Sequence, residues 1–89
     1  MPAQPPLPHW VHDRRHKHGR RIQRWREWGD LTQEQLAERT GLSVSSVQRI
    51  EAGDEIRFSA VIMVAEALHV PIGTLLSAEP GAQVPANGT

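Results

Sequence analysis

An all-α fold follows from three features of the sequence. Apolar residues between Arg20 and Leu76 recur at three- and four-residue intervals. Residues that begin and end helices punctuate them: Thr32 with Gln35, then Gly41, Ser43 and Gly53. No alternating apolar and polar run of useful length marks a strand. The reading is a five-helix domain over residues 19–78, with a flexible arm rich in Pro, His and Arg over 1–18 and a disordered tail over 79–89.

The arm carries Pro2, Pro5, Pro6 and Pro8, which lack a backbone donor and bias their neighbours to extended conformations. The first helix is expected over Arg20 to Trp28, with Ile22 and Trp25 on one face, and Gly29-Asp30 stops it. Thr32 caps the second helix and forms a capping box with Gln35, while Leu31 and Leu36 stand at the two positions of a hydrophobic staple. That helix runs to Thr40, and Gly41 supplies a left-handed residue after it. Ser43 caps the third, which turns Val47 and Ile50 inward and ends at Ala52-Gly53. Phe58, Val61, Val64 or Ala65, and Leu68 recur at helical spacing in the fourth. Pro71 stands at the start of a short fifth, with Ile72, Leu75 and Leu76. The tail, rich in Pro, Gly and Ala, has nothing to bury.

Composition narrows the function classes. With 89 residues the chain holds one domain. A foldable part of about 60 residues is marginal alone, which keeps a homodimer in view. The chain has no Cys, so disulfides, thiol nucleophiles and Cys-based zinc sites are excluded. No apolar run approaches the ~20 residues of a membrane span and the N-terminus has no signal-type apolar segment, so no membrane association and a cytoplasmic location are expected. The formal net charge is zero, yet it is unevenly placed. Arg14, Arg15, Lys17, Arg20, Arg21, Arg24 and Arg26 crowd one stretch with no acid among them. Such a run is either a solvated face or a contact for a polyanion.

The stretch Leu31 to Gly53, LTQEQLAERTGLSVSSVQRIEAG, has the plan of a helix-turn-helix. Ala37 is small enough for a close helix crossing. Gly41 permits the reversal. Leu36, Leu42, Val47 and Ile50 join the pair, leaving the outward face of the second helix free to enter a major groove.

These residues, with Ile22, Arg26, Glu51, Ala65-Glu66-Ala67-Leu68, Val70, Leu75 and Leu76, resemble the Cro and lambda-repressor helix-turn-helix family, the XRE-type regulators. The resemblance covers roughly Arg20 to Ser77. It implies a lambda-repressor-like fold, a transcriptional regulator acting on double-stranded DNA, and a recognition helix at about 43–52. It places Gln33 on a phosphate, which orients the domain without reading sequence. It turns Val44, Ser45 and Arg49 to base edges. Arg49 suits the O6 and N7 atoms of guanine and Val44 a thymine methyl. Ser46 falls to a phosphate and Gln48 to a base or the backbone, while Ser43 is a cap first and a phosphate ligand second. The plainer reading makes Arg49 a solvated arginine or the partner of Glu51 or another acid, and Gln33 a surface residue. The resemblance also implies an ion pair between Arg26 and Glu51, and dimer contacts at Ile72, Leu75 and Leu76.

One departure from the family pattern bears on affinity. The loop after the recognition helix carries Asp54-Glu55, and Ile56 where a proline is common, in place of basic residues. Arg57 in part, and the arm residues Arg14, Arg15, Lys17, Arg20 and Arg21 more, are the cations available to compensate. His9, His12, His16 and His18 cluster in the arm without a rigid frame or second shell, so no metal site is expected. No cofactor is expected. No Ser, His and Asp set supports catalysis, so an enzyme is not expected. The competing reading is a protein-interaction module or an antitoxin-type protein that keeps the fold and binds a protein partner.

Overall fold

The computed structural model describes residues 8–54 and 57–81. Five helices account for the described core: α1 (His9–Trp28), α2 (Gln33–Thr40), α3 (Val44–Ala52), α4 (Phe58–Leu68) and α5 (Ile72–Ser77). The described residues contain no strand. Ile22, Trp25, Leu36, Ala37, Val47, Ile50, Val61, Val64, Ala65 and Leu75 are buried together, so every helix contributes to one core.

The caps act where the sequence places them. Thr32 Oγ1 accepts from the Gln35 amide at 3.0 Å, and Gln35 Oε1 accepts from the Thr32 amide at 2.8 Å. Gly41 has φ +80°, the left-handed region that glycine enters without a Cβ penalty. The first stop differs in detail. Gly29 stays at φ −85° and Asp30 takes the left-handed turn at φ 58°, a conformation a short polar side chain tolerates.

Two expectations about the chain ends are corrected. Residues 9–18 are not a flexible arm here: they are the first turns of α1, which starts after Pro8. Their inward positions are Val11, Arg15, His18 and Gly19, continuing to Ile22 and Arg26 at helical spacing. Because Arg15, His18 and Gly19 interrupt the aliphatic positions Val11 and Ile22, a search for an apolar stripe passes over them. The reason they pack is a close approach of main chains. A Cβ at Gly19 would lie 2.5 Å from the carbonyl oxygen of Glu51, and one at Gly53 would lie 2.8 Å from that of Arg15.

The tail is also not free at its start. Glu79 Oε2 accepts from Arg21 Nε at 2.8 Å, and Glu79 Oε1 from an Arg24 guanidinium nitrogen at 2.6 Å. Arg21 also donates to the Leu76 carbonyl at 2.7 Å, and Trp25 Nε1 donates to the Ala78 carbonyl at 2.9 Å. Residues 78 and 79 are therefore strapped to α1, and the rest of the expected tail from 82 to 89 lies outside the described residues, as do residues 1–7.

The hydrogen bond from Arg21, reinforced by Arg24, holds the Glu79 carboxyl below the ordinary carboxylate range. A folded-state value below the unfolded one means the strap stabilises fully above the ordinary Glu value and is lost as pH falls through the lowered one. A titration of the Trp25 indole N–H by NMR should therefore move only at acid pH, and Glu79→Gln should abolish that step. A Glu79 carboxyl that titrates at the unperturbed Glu value would contradict the strap.

Leu75, expected at a dimer surface, is fully buried in the core and cannot meet a second copy. Ile72 and Leu76 are half-buried against the same core. Among the described residues the large apolar side chains that stay exposed are Trp10, Trp28, Phe58, Ile62 and Met63, three of them on α4.

Candidate nucleic-acid interface

The α2–turn–α3 unit is built by short-range bonds that the sequence dictates. Thr40 Oγ1 donates to the Leu36 and Ala37 carbonyls, at 2.9 and 3.1 Å, and accepts from the Leu42 amide at 3.2 Å. Ser43 Oγ accepts from the Ser46 amide at 3.0 Å and caps α3. Ser43 and Ser46 hydroxyls are also bonded to each other at 2.9 Å. Both serines thus begin as parts of the cap.

Val47, Ile50 and Glu51 face inward from α3. Ser45, Gln48 and Arg49 are exposed on its outer face. Val44, expected to reach a thymine methyl, is half-buried against the core, so only part of its side chain is free. Arg49 Nε lies 3.9 Å from Asp54 Oδ2 with both side chains well exposed. That is a weak, screened pair that leaves the guanidinium able to reorient. Glu55 and Ile56, the rest of the loop noted from sequence, lie outside the described residues.

Behind this face runs a polar chain through three helices. Arg26 Nε donates to Glu51 Oε2 at 2.6 Å and Arg26 Nη2 to Glu51 Oε1 at 3.0 Å, a bidentate pair with each residue only 8% exposed. Arg26 Nη1 donates to the Leu31 carbonyl at 2.7 Å, so all three guanidinium nitrogens donate within the protein. The Glu51 carboxylate bonded to it raises the Arg26 pKa above its ordinary value, so the buried charge is kept. Gln33 Nε2 donates to Glu51 Oε1 at 3.0 Å, and Gln33 Oε1 accepts from Gln48 Nε2 at 3.4 Å. Gln33 therefore has both ends of its amide engaged within the protein, and the second Nε2 proton is the donor left for a phosphate. The family resemblance pairs Arg26 with Glu51 but does not link Gln33 and Gln48 to them. No local pattern signals a bond between residues 15 and 18 positions apart.

The basic stretch divides in two. Arg21 and Arg24 are taken by Glu79, which removes Arg21 from the free cations. Arg14, Lys17 and Arg20 are exposed and Arg15 is half-buried. The Arg14 guanidinium sits 5.6 Å from the centroid of Trp10, a cation–π contact that leaves its charge available. His9, His12 and His16 are exposed on the same helix and His18 is half-buried. Among the described residues no three metal-ligating side chains come together. No described helix is long and apolar enough to cross a membrane.

Comparison with known proteins agrees with this geometry. A family model described as helix-turn-helix matches residues 22–75. The restriction-modification controller protein C.AhdI from Aeromonas hydrophila is similar in structure, with 31% identity and a TM-score of 0.66, over 68% of this chain and 94% of that one. A hypothetical transcription factor, NHTF from Neisseria, is 27% identical with a TM-score of 0.67, over 90% of this chain and 88% of that one. The clp gene regulator ClgR from C. glutamicum shares the fold at 23% identity and a TM-score of 0.66, over 81% of this chain and 87% of that one. A search of curated proteins finds no match.

Proposed function

The chain belongs to the helix-turn-helix family, whose model spans residues 22–75, and from that premise we propose that it is a DNA-binding transcriptional regulator that lays α3 in a major groove. The observation that carries the reading is the outer face of α3, where Ser45, Gln48 and Arg49 are exposed on a helix held from behind by the buried Arg26–Glu51 pair. A reading helix must be rigid relative to the rest of the domain, and that pair ties it to α1 and to the Leu31 carbonyl. Arg49 supplies the base contact, Ser45 and the free edge of Val44 adapt to it, and the backbone is met near Ser43, Ser46 and Gln33. The family and fold are those of transcription regulators rather than enzymes. Two copies on a two-fold site would pair through exposed apolar surface. With Leu75 buried, Phe58, Ile62 and Met63 on α4 provide it.

Selection of duplexes from a random library, followed by fluorescence anisotropy on the selected site, tests this. Arg49→Ala should cost about 1–3 kcal/mol of discrimination at one base pair while leaving binding to random duplex nearly unchanged. Equal losses on selected and random DNA would make Arg49 a backbone contact instead. The acidic Asp54 beside Arg49, with the short Ser45 and Ser46, favours a second reading in which the face meets a protein. A folded chain that binds no duplex at low salt would select that reading.

A further inference from the structure

We infer that the first turns of α1, residues 9–20, form a rigid phosphate-binding element seated on the end of α3, and that its ligand is the DNA backbone beside the recognition groove. This rests on the DNA-binding reading above and adds a contact surface to it.

The seat is made of main chain. A Cβ at Gly53 would stand 2.8 Å from the Arg15 carbonyl oxygen and 2.9 Å from His16 Cα. One at Gly19 would stand 2.5 Å from the Glu51 carbonyl oxygen and 2.9 Å from the Gly53 nitrogen. Backbone therefore lies on backbone at two points one helical turn apart, and the helix cannot slide or roll on α3 without a clash. Its cations inherit that fixed position.

Charge identifies the ligand. At the end of α3 the chain's own residue is Asp54, which would repel a phosphate. The helix beside it presents Arg14, Arg15, Lys17 and Arg20, and none of them is in an ion pair among the described residues. By contrast Arg21 and Arg24, further along the same helix, share the Glu79 carboxylate, which offsets one of their two charges. Within α1 the cations outside any ion pair thus lie in the part that sits against α3, and Arg39 and Arg57 are the others among the described residues. A polyanion tracking past the end of α3 meets cations from α1 at the place where the loop offers an acid. Since the helix is already ordered, contact with it carries little of the ordering cost a flexible arm would incur.

Three forms of the full chain separate this from its alternatives: wild type, Arg14→Gln/Lys17→Gln/Arg20→Gln, and His16→Pro. The proline variant keeps every cation and breaks the helix within the seat itself, where His16 Cα is one of the contacts. A His12→Gly/His16→Gly chain does the same more gently, should proline prevent folding. Circular dichroism and melting first establish that each variant keeps a cooperative core. Anisotropy on one duplex is then measured from about 50 to 200 mM salt. The charge variant should show a salt slope shallower by roughly 2.7, at ~0.9 per lost phosphate contact. The helix-broken variants should bind about tenfold more weakly than wild type at equal charge. An unchanged slope in the charge variant removes the contact. Wild-type affinity in the helix-broken variants shows a flexible arm suffices and overturns the rigid seat. If wild type itself binds no duplex, the regulator reading falls and this element with it, a result distinct from either of the others.

Discussion

Glu51→Ala is expected to cost about 3–5 kcal/mol of folding stability, because it leaves the Arg26 charge buried without its counterion. The geometry makes this a severe case. Both oxygens of Glu51 are bonded to Arg26, one of them also to Gln33, and both charged residues are 8% exposed. Native domains have only about 5–15 kcal/mol in total, so a large share of the margin goes. At about 4–8 °C per kcal/mol, the melting temperature should fall by well over ten degrees. Replacing the pair together, Arg26→Met with Glu51→Leu, should be far milder, since no unpaired charge remains. Thermal and urea melts followed by circular dichroism check both. A Glu51→Ala chain that melts like wild type but no longer binds DNA would falsify the structural role and make Glu51 part of the interface.

Gly19→Ala is the second large effect, and its sign is the test. In an ordinary exposed helix this change stabilises by about 1 kcal/mol, since alanine restricts the unfolded chain and favours helix. Here the new methyl would lie 2.5 Å from a backbone oxygen and 2.9 Å from a backbone nitrogen. Neither can rotate away as a side chain could, so α1 must lift from α3. Overpacking of this kind costs about 1–3 kcal/mol and outweighs the propensity gain. The contacting oxygen belongs to Glu51, so lifting also strains the bidentate pair with Arg26. Gly73, inside α5 with nothing near its missing Cβ, is the control: Gly73→Ala should be neutral or stabilising. Melting curves of the two variants side by side decide it, and a stabilised Gly19→Ala chain would mean the two helices are not in main-chain contact.

These two residues also mark how far the sequence could be read. The Arg26–Glu51 pair was inferable because it belongs to an ordered set of residues resembling a known family. Helices α2 to α5 were legible from caps and spacing, since those signals act within four residues along the chain: Thr32 bonds Gln35, Ser43 bonds Ser46, and Gly41 turns left-handed. The outward direction of Ser45, Gln48 and Arg49 follows equally from helical period.

What escaped depends on partners far apart in the chain. Residues 9–18 read as an arm because prolines precede them and no aliphatic stripe runs through them, yet their inward face is completed by the end of α3. Glu79 read as tail because nothing near it in sequence explains it, and it is bonded to arginines 58 and 55 positions away. The family resemblance places Leu75 at a dimer contact, and the assembled core instead leaves it fully buried. Local hydrogen bonding and period, which need only a few adjacent residues, were determined by the sequence alone: the helices and their caps, the turn, and the outward face of α3. Which backbone lies against which, which cations are neutralised and which stay free, and which apolar side chains remain exposed were decided by tertiary packing, because each depends on a distance between segments that no local rule contains.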